Sequence, residues 1–218
     1  MQPITIATAN PGKITELRPI FGQLDIQVVG LSDLHETTTE PVEHGNTFEA
    51  NATIKALSYA EQPGTLCLAD DSGLVVDALG GAPGVISSHY GTDGAEDSRP
   101  RAERDASNNS RLLRELADVP DEDRIARFLC VMVLAAPNGQ VLATSQGTFE
   151  GRIARSLRGE GGFGYDPLFL VGPDFERTSA ELSAAEKNSI SHRAKAAREM
   201  ANALVSLPAS TTWTSADQ

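Results

Sequence analysis

The sequence predicts a mixed α/β fold, a sheet with both parallel and antiparallel strands and helices packed against it. Three observations predict this. The chain opens on a short apolar run, Ile4-Thr5-Ile6-Ala7-Thr8, which reads as a buried strand. Ala9-Asn10-Pro11-Gly12-Lys13 then breaks the chain, and Ile14, Leu17, Ile20 and Phe21 recur at helical spacing, a strand–turn–helix order of the parallel kind. Much later, Phe128 to Ala136 is a strong apolar strand that Pro137-Asn138-Gly139 joins to Val141-Leu142-Ala143-Thr144, an antiparallel hairpin signal.

The other elements follow in order. The first helix begins at or near Lys13, and Leu24 to Val29 reads as a second strand. Residues 32–46 are polar and without pattern, a loop. From Thr47 a helix carries Phe48, Ala52, Ala56 and Tyr59 on one stripe, with Asn51 and Lys55 bordering it. Leu66-Cys67-Leu68-Ala69 is a strand that enters an acidic turn, Ala69-Asp70-Asp71-Ser72-Gly73, and Leu74-Val75-Val76 continues beyond it. Gly80-Gly81-Ala82-Pro83-Gly84 is a second cluster of breakers. Residues 91–107 are rich in charge and turn formers, and Leu112, Leu113 and Leu116 mark the helix after them. Gly159 to Asp166 is a glycine-rich loop before the apolar run Leu168-Phe169-Leu170. A last helix is expected from near Ser191 to Leu207, with Ala194, Ala197, Ala201, Leu204 and Val205 inward, and Pro208 ends it. No repeat or linker divides the chain, so residues 1–207 are expected as one domain and 208–218 as a disordered tail.

Composition narrows the function classes. Apolar residues are 40% and charged residues 22% of 218, ordinary values for a soluble globular protein. No stretch approaches the roughly 20 apolar residues that span a bilayer. The start, Met1-Gln2-Pro3-Ile4-Thr5, lacks the basic and apolar regions of a signal peptide, so a cytoplasmic location is expected. A formal net charge of −12 argues against sequence-independent binding to nucleic acid, which needs a basic surface. It leaves room for a small phosphate ligand held by a few focused cations. Cys67 and Cys130 lie in apolar runs and read as buried free thiols. His35, His44, His89 and His192 have no zinc-type spacing with them, so no zinc site is expected, whereas Asp and Glu oxygens suit magnesium.

Five segments can carry chemistry. Thr8-Ala9-Asn10-Pro11-Gly12-Lys13, a strand-to-helix turn, aims backbone N–H groups and a helix dipole at one spot, which favours an anion, and Lys13 adds a charge. The spacing of a Walker A loop is absent, and a plain surface turn reads the same letters. Asp70 and Asp71 repel one another at a strand end unless a cation or hydrogen bonds compensate. Asp-Asp-Ser-Gly is also simply a set of turn formers. Glu43-His44-Gly45-Asn46-Thr47-Phe48 is an acidic loop feeding a helix, in which Glu43 can supply a second carboxylate and Asn46 a helix cap. Gly159-Glu160-Gly161-Gly162-Phe163-Gly164-Tyr165-Asp166-Pro167 matches G-x-G-x-x-G by letter, but no helix opens from it, which rejects a dinucleotide fold. Phe163 and Tyr165 there suit the flanks of a flat base. In Glu186-Lys187-Asn188-Ser189-Ile190-Ser191-His192-Arg193, the donors Lys187, His192 and Arg193 suit phosphate or a carbonyl-bearing base, or a solvated helix entrance.

Taken together and in this order, the segments resemble the inosine/xanthosine triphosphate pyrophosphatase (Ham1-like) family of house-cleaning nucleotide hydrolases. The likeness covers about residues 4–207 and rests on Thr8 to Lys13, Thr47 to Ala52, Ala69 to Gly73, Gly80 to Gly84, Phe163 to Asp166 and Ser191 to Arg193. The resemblance implies a two-lobed mixed sheet with flanking helices, an active cleft between the lobes, a homodimer and Mg2+. It implies hydrolysis of dITP, ITP and XTP to the monophosphate and pyrophosphate. By position, Asp71 matches the general base and metal ligand, with Asp70 a weaker metal or structural partner. Ser72 matches a substrate contact, and Thr8, Ala9, Asn10, Pro11, Gly12 and Lys13 match the triphosphate turn, in which Ala9 stands where the family usually has Gly. Phe163, Gly164, Tyr165, Asp166, Lys187, His192 and Arg193 match base and substrate contacts. Glu43 is chosen as the acidic metal partner, with Glu36 and Glu40 as alternatives.

On that resemblance, selectivity is expected from the 6-keto edge of hypoxanthine or xanthine, read by donors such as Lys187 or His192, because a site built to pair one polar edge rejects others strongly. Two rival readings are a Maf-type pyrophosphatase acting on modified pyrimidine or methylated nucleotides, and a nucleotide sensor that binds without hydrolysis. The Phe163 to Asp166 and Ser191 to Arg193 segments oppose the first, and Asp70, Asp71 and Lys13 oppose the second.

Overall fold

The opening strand forms as β1 (Ile4–Ile6), with all three residues buried. It is followed by α1 (Pro11–Gly22), β2 (Val28–Gly30), α2 (Phe48–Glu61) and β3 (Cys67–Val76). Then come α3 (Arg101–Glu115), the long strands β4 (Ile125–Ala135) and β5 (Val141–Ile153), the short β6 (Phe169–Val171), α4 (Ala184–Ile190) and α5 (His192–Ser206). The computed structural model describes residues 4–8, 11–22, 27–34, 38–95 and 97–206, without the side chains of Pro11 and Ser32. The expected tail, 208–218, and residues 24–26 of the expected second strand lie outside the described residues.

The six strands form one sheet in the order β2-β1-β3-β4-β5-β6. β1 runs parallel to β2, with Ile4 opposite Val28, and parallel to β3, with Thr5 opposite Cys67. β6 runs antiparallel to β5, with Ile153 opposite Phe169. The sheet is therefore mixed, as its strand–helix start and its hairpin predict.

Four elements differ from the sequence reading. The acidic segment is not a turn between two strands: Asp70, Asp71, Ser72 and Gly73 lie inside the continuous ten-residue β3. Asp and Gly are poor strand formers, but both flanks are apolar, and cations described below offset the carboxylates. α3 begins at Arg101, well before the leucines, and its first turns make polar contacts, Arg104 with His89 and Asp105 with the Gly164 N–H. β4 starts at Ile125 and β5 runs on to Ile153, so the hairpin is longer than its apolar letters suggest.

The chain divides into two compact units. The first holds residues up to Asp71, Cys130–Gly147 and those from His192 on. Its core gathers Ile4 and Ile6 of β1, Leu17 and Phe21 of α1, Leu68, Met132 and Leu134 of the strands, and Met200 and Leu204 of α5. The second holds Ser72–Leu129 and Thr148–Ser191. There the Phe169 ring lies 4.6 Å from that of Phe128 and 5.1 Å from that of Phe149, beside Leu74, Leu112, Leu116 and Tyr165. Each fully buried Leu or Phe contributes about 1.5–3 kcal/mol. Cys67 and Cys130 are buried free thiols, and burial pushes both well above the usual thiol range. Among the described residues no helix is long and apolar enough to cross a membrane.

Candidate active site

In the first unit the helix that starts at Phe48 is capped by Thr47, whose hydroxyl accepts from the Ala50 N–H at 3.1 Å, so Asn46 is not the cap. Its buried stripe includes Phe48, Ala52, Ala56 and Tyr59 as expected, and also Asn51 and Lys55, one turn apart. Asn51 folds the acidic loop onto the helix, since its Oδ1 accepts from the Gly45 N–H at 2.8 Å. A Cβ on Gly45 would stand 2.6 Å from that oxygen, so the approach needs glycine. Asn51 Nδ2 also donates to Asp71, at 3.4 Å.

That loop brings Glu43 to Lys55. The Lys55 ammonium lies 2.9 Å from Glu43 Oε2 and 2.9 Å from Asp71 Oδ1, so two carboxylates converge on one cation. Burial opposes charge on Lys55, yet Asp71, Glu43 and Asp70 outweigh it and hold the ammonium well above the usual lysine range. Asp71 is raised above the ordinary carboxylate value, by burial first and by Glu43, with Lys55 and Lys13 pulling the other way. A buried carboxylate of raised basicity beside cations suits a general base. Of the three acids considered for the loop, Glu43 is the one placed at Lys55; Glu40 is exposed, and Glu36 lies outside the described residues.

Asp70 points to different partners. Its carboxylate is 3% exposed and is 2.9 Å from the Lys13 ammonium and 3.4 Å from Arg193 Nε. Burial pushes Asp70 up, but Lys13, Arg193 and Lys55 together hold it well below the usual carboxylate range. Arg193 reaches on to Glu16 of α1 through Nη1. Thus α1, β3 and α5 are tied by a buried chain of alternating charges, and Asp70 sits in it as an ion-pair centre. The described residues of the N-terminal turn are Thr8, Gly12 and Lys13 plus the Pro11 backbone; Ala9 and Asn10 lie outside them. α1 starts at Pro11, and the dipole at a helix N-terminus favours an anion.

The second unit carries a separate cluster. Gly162, at φ +73°, turns the chain so that the Phe163 N–H donates to Asp166 Oδ2 at 2.8 Å; a Cβ at Gly162 would collide with that oxygen. The same oxygen accepts from the Lys187 ammonium at 2.7 Å, and that ammonium lies 5.0 Å from the Phe163 ring centre. Phe163 is half-buried, and the Arg101 guanidinium lies 4.3 Å from its centre. Tyr165 corrects an expectation. Its ring is 4% exposed in the core and its hydroxyl donates to the Ser87 carbonyl at 2.8 Å, so it anchors the loop and does not flank a base. The glycine run leads into β6, not into a helix.

Ser72 opens the second unit's part of β3, and His192, buried, opens α5 in the first. Lys55, Asn51 and Glu16 belong to the first cluster although the sequence reading did not select them; the signal was their spacing beside the apolar stripes of α2 and α1. Among the described residues no three His, Cys, Asp or Glu side chains converge as a ready-made metal cage. Glu43 and Asp71 nonetheless fit a magnesium ion, which commonly takes one or two protein carboxylates and completes its shell with water and phosphate. The Lys55 ammonium marks their meeting point as one that stabilises positive charge.

Residues 4–203 match the model of the Ham1 family. A protein of Desulforamulus reducens named dITP/XTP pyrophosphatase is 48% identical over 196 residues, covering 90% of this chain and 92% of that protein. One of the same name from Exiguobacterium sibiricum is 46% identical, covering 92% and 96%. Among solved structures, a HAM1 protein from Coxiella burnetii superposes with a TM-score of 0.81 at 39% identity, covering 95% of this chain and all (100%) of that one. A nucleoside-triphosphatase / dITP/XTP pyrophosphatase from Mycobacterium abscessus gives 0.66 at 39% identity, covering 86% and 90%.

Proposed function

The chain belongs to the Ham1 family, and on that premise we propose that it hydrolyses the non-standard purine nucleoside triphosphates dITP, ITP and XTP to the monophosphate and pyrophosphate. The observation that carries the reading is the meeting of Glu43 and Asp71 on one cation beside the Lys13 and Arg193 charges. Glu43 and Asp71 would hold Mg2+, which when bound neutralises charge building on the triphosphate oxygens. Asp71 takes the proton of a water that attacks the α-phosphorus. The bond from that phosphorus to the bridging oxygen breaks, and pyrophosphate leaves on the side bound by Lys13 and the N-terminal turn. Most of the rate then comes from positioning and electrostatics.

The second unit's cluster reads the base. Phe163 supplies a face to stack on, while Lys187 offers a donor to a 6-keto oxygen that adenine lacks. The Lys187 ammonium already pairs with Asp166, which fixes its direction. By family resemblance the proposal extends to a homodimer working in the cytoplasm, without nucleic-acid or membrane partners.

The test is pyrophosphate release with magnesium on dITP, XTP, dATP, dGTP and dTTP. Fast release from dITP and XTP is expected, with chelation abolishing it. Equal rates on all five, or orthophosphate as the product, would overturn the reading.

A further inference from the structure

α3 has one face that the proposed chemistry leaves unused. Arg101, Asp105 and Asn109 follow at intervals of four, so they stand one above another along the helix. All three touch the loop that carries Phe163. Asp105 Oδ2 accepts from the Gly164 N–H at 2.9 Å, and Asn109 Nδ2 donates to the Gly164 carbonyl at 2.9 Å. Arg101 covers the Phe163 ring and lies 3.6 Å from Asp105. Acceptor and donor are thus one helical turn apart and grip the two peptide groups on either side of Gly164.

Gly164 has φ +64°, and apart from its two chain neighbours no atom lies within 4 Å of where a Cβ would stand. Its two peptide groups are held by the Asp105 and Asn109 side chains of α3. Asn109 is 5% exposed, and its Oδ1 has no partner among the described residues, so its carboxamide is oriented by the Gly164 bond. The peptide groups so gripped join Phe163 to Gly164 and Gly164 to Tyr165. The first of them adjoins the residue whose ring lies against Arg101 and Lys187.

We propose that Asp105 and Asn109 are positioning residues for base selection, holding Gly164 so that Phe163 and Lys187 meet a purine in one fixed pose, with Arg101 steadying the ring. The inference rests on the base-reading role given above to Phe163. No step of the hydrolysis passes through α3, so its loss should act on KM and selectivity and not on kcat.

The experiment measures kcat and KM for dITP and dATP, together with thermal midpoints, in the wild type and in Asp105→Ala, Asp105→Asn, Asn109→Ala and Arg101→Ala. Both alanine variants of the clamp should lower the dITP-to-dATP ratio of kcat/KM by about tenfold, the factor that one hydrogen bond's net worth of about 1.4 kcal/mol corresponds to. Asp105→Asn keeps an acceptor for the Gly164 N–H and should restore most of the ratio. A purely structural role would lower the midpoint and leave the ratio alone, and that result overturns the proposal. So does an Asp105→Asn variant as unselective as Asp105→Ala. If an alanine variant of the clamp does not fold, Arg101→Ala decides, its side chain being 44% exposed. KM for dITP should rise about threefold there, as for a cation–π contact of 0.5–1 kcal/mol, and an unchanged KM overturns the proposal. A wild type without preference for dITP would instead sink the function proposed above, and it is read from the wild type alone.

Discussion

Arg193 and Arg124 are both arginines with 2% exposure, and they are held in opposite ways. In the first unit Arg193 faces the carboxylates of Asp70 and Glu16. In the second, the partners of Arg124 are main-chain groups. Its guanidinium donates to the backbone carbonyls of Leu116, Ile153 and Ala154, joining the end of α3 to β5 and the residue after it. The same division runs through the two clusters. Lys13, Lys55 and Arg193 balance Asp70, Asp71, Glu43 and Glu16, whereas the Phe163 loop, beside its Lys187–Asp166 and Arg101–Asp105 pairs, is gripped through backbone groups bonded to Asp105, Asn109 and Asp166. Ion pairing leaves charges that a charged ligand can re-partition; backbone bonding leaves a fixed shape. That suits one unit to a triphosphate and the other to a flat base.

The sharpest way to break this comparison is at Asp71. Asp71→Asn should lower kcat by about 10²–10⁴, the usual worth of a general base, while the fold survives because Lys55 keeps Glu43 as a partner. Steady-state kinetics with circular dichroism would show it, and undiminished turnover would remove Asp71 from the chemistry. Next comes the arginine pair. Arg193→Met strips a buried carboxylate of one partner and should cost about 3–5 kcal/mol in denaturant unfolding and most of the activity. Arg124→Met should cost about 1–3 kcal/mol for each carbonyl left without a donor, yet leave kcat intact at temperatures where the variant is folded. Equal loss of kcat in both would erase the distinction between the units.

A pH series sharpens the ionic side. Asp70 titrates well below its ordinary value in the folded chain, so its stabilisation is complete above about pH 4, the unfolded value. It fades as pH falls toward the folded value. Asp70→Asn should therefore be less stable than the wild type at neutral pH, and the gap should narrow below about pH 4; a gap constant with pH would contradict the ion-pair account. The smallest effect is expected at Tyr165→Phe, which loses one bond to the Ser87 carbonyl and about 1 kcal/mol. A much larger drop in the unfolding midpoint would mean that Tyr165 does more than anchor its loop.

Much of this was legible in the sequence. The first strand, the helix after it, the stripe of α2 and the hairpin follow from periodicity, since apolar burial imposes a period of 3.6 or 2. The acidic segment was legible as chemistry and misread as structure. Asp-Asp-Ser-Gly favours a turn locally, and only Lys13, Lys55 and Arg193, distant in sequence, make a strand there tolerable. Lys55 and Asn51 escaped selection because a polar residue beside an apolar stripe reads as the edge of a surface. Asp105 and Asn109 were hidden in a charged stretch whose partners are peptide groups, and a peptide group has no letter.

That last point bears on how such a protein can change. The clamp on Gly164 holds main chain and is indifferent to which side chain occupies position 163. If Phe163 reads the base as proposed, replacing it would alter the surface offered without dismantling its support. Substrate preference could then drift one residue at a time on a scaffold that stays put, and a designer wanting a different base would begin at 163 and leave 105 and 109 alone.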